Sequence, residues 1–392
     1  MAKILVAFFN CIDDAQNKNA MPIFYEGFIK GLDEAGNNVA VFSHKGFGQD
    51  FGEIDDNTRA FVTEFEPDLC IIFNNSFYDL SSVVSCPIVI YEVDSPRYFS
   101  NKQRIKDNPD RYLFFILQSD SRKTLMEEYG VSPKNIFYVP CFSEVYADEQ
   151  MKPEVNISFI GSRFLMTSAR PFFAFLTGNP SDEERQMFQN CVNEIRNNPQ
   201  VTPAELVYKY KIMSELVACN LNIPDILMTL SAEKRVKVLS AVAELGLDLY
   251  GTENWGNEYY LNIDLNFSYV NKKVYSIRHN QDIYNSSKIG INVSHLQATS
   301  GFPWRVMDIM ASNACLVTDY HSDFKVLFPE VADILPVYDN AYEAYDLCRK
   351  LIRDEQYRQE IVLRCNEVIN TKYRFKNLLP KLEEYSGVKL QN

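Results

Sequence analysis

A chain of 392 residues with 46% apolar side chains is long enough for two domains, each with its own core. Its net charge of −13, without any run of lysines and arginines, excludes nucleic acid and anionic membrane surfaces as main targets. No window reaches the roughly eighteen uncharged apolar residues of a spanning helix, and the N-terminus lacks a signal-peptide pattern, so a cytoplasmic protein with no transmembrane segment is expected.

The first apolar run, residues 3–9, has strand length and is followed by a polar loop containing Asp13 and Asp14, then an amphipathic helix from Ala20 to Ala35 capped by Gly36. Further strands are predicted at Asn38 to Phe42, Leu69 to Phe73, Pro87 to Tyr91 and Tyr112 to Leu117. All are nearly all apolar, as strands covered on both faces must be. Helical or turn segments separate them, which predicts a doubly wound parallel α/β domain over residues 1–150. No G-x-G-x-x-G follows the first strand, so a dinucleotide site is not expected there.

Ligands of open α/β sheets bind beyond the carboxyl ends of the strands. The polar loops NNSF, EVDSPRYFSNK and QSDSRK follow three of these strands and outline one rim. Asp94, ahead of Ser95-Pro96, is a candidate functional acid, whereas Asp120 precedes a helix and suits an Asx turn or cap. His44 ends the second strand. The nine cysteines are scattered, largely within apolar runs, with no C-x2-C pair, and are expected to be free thiols, neither disulfides nor zinc ligands.

After Pro140 a linker leads to a second α/β domain over 151–375, opened by a strand running into Gly161-Ser162, with Arg163 or Arg170 in reach of a diphosphate. Residues 181–245 form a helical insertion, with segments predicted at 182–197, 203–219 and 231–245. Its role cannot be read from the sequence. Strands resume at Leu247 to Gly251, a helix is predicted over 341–370, and a last helix lies within 376–392.

Lys288 to Tyr320 has the length of one βαβ crossover: strand Ile289 to Val293, a loop, a helix over Pro303 to Ser312 and strand Cys315 to Thr318. Pro303 suits a first helical turn, and Ser300-Gly301 before it permit close approach to a ligand. Free N–H groups at the helix start, with Arg305 one turn in, predict an anion site. Arg305 and Asp308 share a face, placing a cation for phosphate beside a carboxylate for ribose hydroxyls. His295, just after the first strand, is a candidate for donor phosphate or sugar.

The order SG-x3-R-x2-D-IMA, followed by LVTDY, resembles the C-terminal module of GT-B glycosyltransferases, and most of all the spore-maturation (CgeB-like) group. Asp308 stands where most of that group has Glu, and Asn313 where Gly is usual. NISFIGSRF (Asn156 to Phe164) and DIYNSSKIGINVS (Asp282 to Ser294) extend the resemblance. It implies two Rossmann-like domains facing a cleft, with the last helix packing back toward the first domain. It also implies transfer of a sugar from a nucleotide-sugar donor to a saccharide, lipid-linked or protein acceptor in surface-polysaccharide or glycoconjugate synthesis.

No Asp-x-Asp is present for a divalent cation, so the leaving diphosphate is expected to be neutralised by arginine and backbone N–H groups, with no metal or cofactor. Counting eight residues back from Asp308 reaches Ser300, so the first Glu of the Glu-x7-Glu of many retaining relatives is missing. A general base for the acceptor is then sought in the N-terminal domain, among Asp13, Asp14, Asp94 and His44. The alternatives are a non-catalytic nucleotide-sugar-binding protein and a sugar-nucleotide epimerase of the same fold.

Overall fold

The computed structural model describes residues 1–12, 20–46, 50–164, 178–211, 223–251, 255, 262–272 and 274–390. Asp13, Asp14 and Arg170 lie outside the described residues.

Six parallel strands form the first sheet: β1 (Lys3–Phe9), β2 (Asn38–His44), β3 (Leu69–Phe73), β4 (Ile88–Tyr91), β5 (Tyr112–Ile116) and β6 (Ile136–Tyr138). Their spatial order is β2-β1-β3-β4-β5-β6. Five more parallel strands, β7 (Val155–Ile160), β8 (Leu247–Tyr250), β9 (Ser287–Ile291), β10 (Cys315–Asp319) and β11 (Val337–Tyr338), lie in the order β11-β10-β9-β7-β8. The central strands β3 and β4 are buried at every position, which explains their unbroken apolar sequences. In both sheets the chain reverses its winding direction between the first and third strands. That switch point opens a crevice at the carboxyl end of the sheet.

Several boundaries differ from the sequence reading for physical reasons. Strands β6 and β11 have three and two residues, too short to show a periodicity. The segment 341–370 is two helices, Ala341–Arg353 and Glu355–Lys372, broken at Asp354, whose side chain accepts from Tyr357 N and caps the second. Pro224, expected to break the chain, lies in the first turn of the helix Ile223–Ala243, where proline is tolerated. The expected helix over 303–312 is only Arg305–Met310.

The inserted helices Asp182–Asn197, Pro203–Tyr210 and Ile223–Ala243 share a small core of Phe188, Cys191, Ile195, Leu206, Ile226 and Leu227. Near the C-terminus the helix Phe375–Ser386 returns to the first domain and buries Phe375, Leu378, Leu379 and Leu382 against Phe28 and Phe142. Arg374 staples this crossing to the earlier one: it is buried, donates to Ser143 O at 2.7 Å and lies over the Tyr146 ring. Eight cysteines are free among the described residues; Cys70 and Cys86 place their sulfurs 3.7 Å apart, and Cys11 is exposed. Among the described residues no helix is long and apolar enough to cross a membrane.

Candidate active site

The two switch points face each other across a cleft of about 350 Å³. Its walls come from the loops after β1, β4 and β5 on one side and after β7 and β9 on the other, with Arg235 entering from the inserted helix Ile223–Ala243.

The C-terminal wall is cationic. Arg235 is buried; its Nε donates to Val293 O at 3.1 Å and its Nη1 to Ser162 O, and the guanidinium stacks 3.8 Å from the centre of the Phe164 ring. Arg305 lies 4.9 Å from the centre of the Phe159 ring, and its buried Nη1 has no hydrogen-bond partner among the described residues. Burial depresses the pKa of both groups, and Arg235 is lowered further by Arg305. Asp319 is within electrostatic reach of both but is already engaged. It accepts from Lys234 Nζ at 2.7 Å, Ser294 Oγ at 3.0 Å and Asn292 Nδ2 at 3.2 Å. Burial alone would raise its pKa, yet Lys234 holds it well below the usual range. Two desolvated guanidinium groups, one with an unsatisfied donor, make a site that an anionic oxygen would complete.

His295 stands beside them, with its ring edge-on to Phe164 at 4.8 Å. Burial, Arg235 and Lys234 lower its pKa to about 3, so the imidazole is neutral. Its Nδ1 accepts from Gln297 N at 2.9 Å, which leaves the proton on Nε2 as a donor.

The other expected donor-site residues play different parts. A Cβ at Gly161 would lie 3.0 Å from Arg305 Nη2 and from the Phe159 ring, so Gly161 makes room for the guanidinium. Ser162 contributes its carbonyl to Arg235, and Arg163 follows, half-buried. At Gly301 a Cβ would meet Gln118 Cβ at 2.5 Å and Leu117 O at 2.9 Å; the close approach expected for a ligand is made by the N-terminal domain. Ser300 is also drawn into the domain contact: its Oγ donates to Asp120 Oδ1 at 2.8 Å. Asp120 makes no side-chain cap and binds across the boundary instead. The helix-start amides are not a free row, because Val306 N and Met307 N bond to Pro303 O and Trp304 O. The cationic character of the wall therefore rests on guanidinium groups. Asp308 is buried and turned from the cleft, accepting from Ser143 Oγ at 2.6 Å and Asn280 Nδ2 at 3.2 Å; burial raises its pKa to about 6.

The N-terminal wall is acidic. Asp94 lines the cleft, with Oδ2 accepting from Asn74 Nδ2 at 2.8 Å and Oδ1 from Gln297 Nε2 at 2.6 Å. Burial raises its pKa, opposed by Gln297 and Asn74. Glu92 beside it accepts from Leu117 N, Gln118 Nε2 and Ser121 Oγ, and burial pushes it up to about 7. His44 is not part of this wall: its Nε2 bonds Ser76 O at 2.8 Å and its ring packs edge-on to Phe51.

Glu92, Arg235 and Gln297 escaped the sequence reading. Glu92 adjoins Asp94 in the same polar loop, which was the available signal. Nothing local marks Arg235 on its helix.

Residues 234–384 match the family model described as glycosyl transferase-like. No curated protein matches the chain. The T4 phage BGT in complex with UDP and Mn²⁺ is 12% identical, with a TM-score of 0.52 and coverage of 98% of this chain and 100% of that one. Anabaena HepE in complex with UDP-glucose is 10% identical, with a TM-score of 0.51 and coverage of 98% and 99%. At these identities the likeness is one of fold, and the fold is that of GT-B glycosyltransferases. The matched region holds Arg235, Arg305 and β9 to β11.

Proposed function

We propose that this protein transfers a sugar from a nucleotide-sugar donor to an acceptor hydroxyl, and does so without a metal ion. The observation that carries this reading is the opposition, across one cleft, of Arg235, with the buried Arg305 guanidinium within its electrostatic reach, and the Asp94 carboxyl. The guanidinium groups and the neutral His295 Nε2–H bind the donor diphosphate and take up the negative charge that grows as the glycosidic C–O bond breaks. Asp94 accepts the proton of the acceptor hydroxyl as that oxygen bonds the anomeric carbon. Ser300 and Gly301 hold the domains together around the cleft, and Asp308 ties the linker to the donor domain. Its ribose contact is possible only if Ser143 or Asn280 lets go.

Titration with UDP and UDP-glucose, the ligands of the two structural neighbours, tests the donor assignment. Wild type should bind both and hydrolyse UDP-glucose slowly, and Arg305→Ala should lose affinity. Binding without hydrolysis would favour a non-catalytic protein, and conversion of the donor to an epimer without acceptor would favour an epimerase. The SG-x3-R-x2-D and TDY segments support a CgeB-like transferase acting in surface-polysaccharide or glycoconjugate synthesis. The free thiols support a reducing, cytoplasmic setting.

A further inference from the structure

The two walls of the cleft differ in charge as well as in origin. The N-terminal wall carries the carboxyls of Glu92 and Asp94 and the rings of Phe9, Phe24 and Tyr25, faced by Trp304 from the other domain. Among the described residues that line the cleft, no lysine or arginine comes from the N-terminal domain. Asp94 is short of solvation and depends on Gln297 and Asn74 for its hydrogen bonds. A second negative charge brought to it would meet repulsion little screened by water. A ring with an apolar face, by contrast, can cover the aromatic side chains while one hydroxyl reaches Asp94.

Resting on the transferase reading above, we propose that the acceptor end entering this cleft is an uncharged sugar ring, and that acceptors carrying a carboxylate or phosphate next to the reacting hydroxyl are rejected by the Asp94–Glu92 wall. Charge thus sorts the two substrates, the anionic donor going to the arginines and the neutral acceptor to the acids. The donor therefore has no rival for Arg235 and Arg305.

Calorimetry on the full chain tests this with pairs that differ only in charge: phenyl β-glucoside against phenyl β-glucuronide and phenyl β-galactoside against its galacturonide, with and without saturating UDP. The neutral member of at least one pair should bind at least tenfold more tightly than its uronide. Asp94→Asn should narrow that ratio several-fold. Cys11→Lys, which adds a cation at an exposed position of the same wall and is expected to fold, should raise uronide affinity. Equal or tighter binding of the uronides, or no glycoside binding by a protein that binds UDP, overturns the proposal. Failure to bind UDP while the glycoside ratio holds would count against the donor reading alone.

Discussion

The two domains are wound alike, yet their switch points present opposite chemistry. In each sheet the first strand lies between the second and third, so both crevices open at the same point of the winding. One holds Glu92 and Asp94 with Asn74; the other holds Arg305, Arg235 and a neutral His295. The comparison teaches that the fold supplies the position of a site, while a few loop residues and one inserted helix supply its sign. It also shows how the halves are coupled. Gln297 follows His295 in the donor wall, donates its backbone N–H to that imidazole, and reaches across to Asp94 with its side chain.

The comparison breaks most visibly if the acid wall is removed. Asp94→Asn should lower kcat by about 10²–10⁴-fold, the usual contribution of a general base, while UDP affinity stays within about twofold. Near-normal turnover in that variant would transfer the role to Asp13 or Asp14. On the cationic wall, Arg305→Ala should weaken UDP binding by roughly 1.5–3 kcal/mol, as for a charge-assisted hydrogen bond. Calorimetry giving unchanged affinity would remove Arg305 from the donor site. Arg235→Ala should lose affinity and also thermal stability, because it ties Ser162 and Val293 together.

A smaller effect sharpens the link between the walls. Since burial raises the Asp94 pKa, and a base must be deprotonated to act, activity should fall as pH drops through a value above the ordinary aspartate range of about 3.9. The Gln297 hydrogen bond lowers that pKa, so Gln297→Ala should move the acid limb of the kcat profile to higher pH. A limb that stays in place would show that Gln297 has no hold on the base. The smallest expected change is none: exhaustive EDTA treatment should leave activity intact. Loss restored specifically by Mn²⁺ or Mg²⁺ would mean that a cation, and not the arginine pair, carries the leaving-group charge.

Much of the architecture was legible along the chain. Segments such as Leu69–Phe73 and Ile88–Tyr91 are covered on both faces, and that burial is written directly into unbroken apolar runs. The helix Asp182–Asn197 was marked at its start by Ser181 and Glu184, which form a capping box. Arg305 stood out through its motif and Asp94 through its post-strand loop. Ser300 and Gly301 were recognised as a place of close approach, but what approaches is the Leu117–Gln118 backbone.

The sequence by itself determined the elements, the two-sheet plan and the residue types available at each rim, because periodicity, caps and strand-end loops depend on neighbours a few positions away. Only the tertiary structure decided that Arg235 joins Arg305, that Asp120 holds Ser300 instead of capping its own helix, and that Gln297 spans from His295 to Asp94. These pairings join residues 70 to 203 positions apart or lie across a domain boundary. They exist because two separately folded sheets dock with their carboxyl ends together, an arrangement set by packing over long range that leaves no local pattern in the chain.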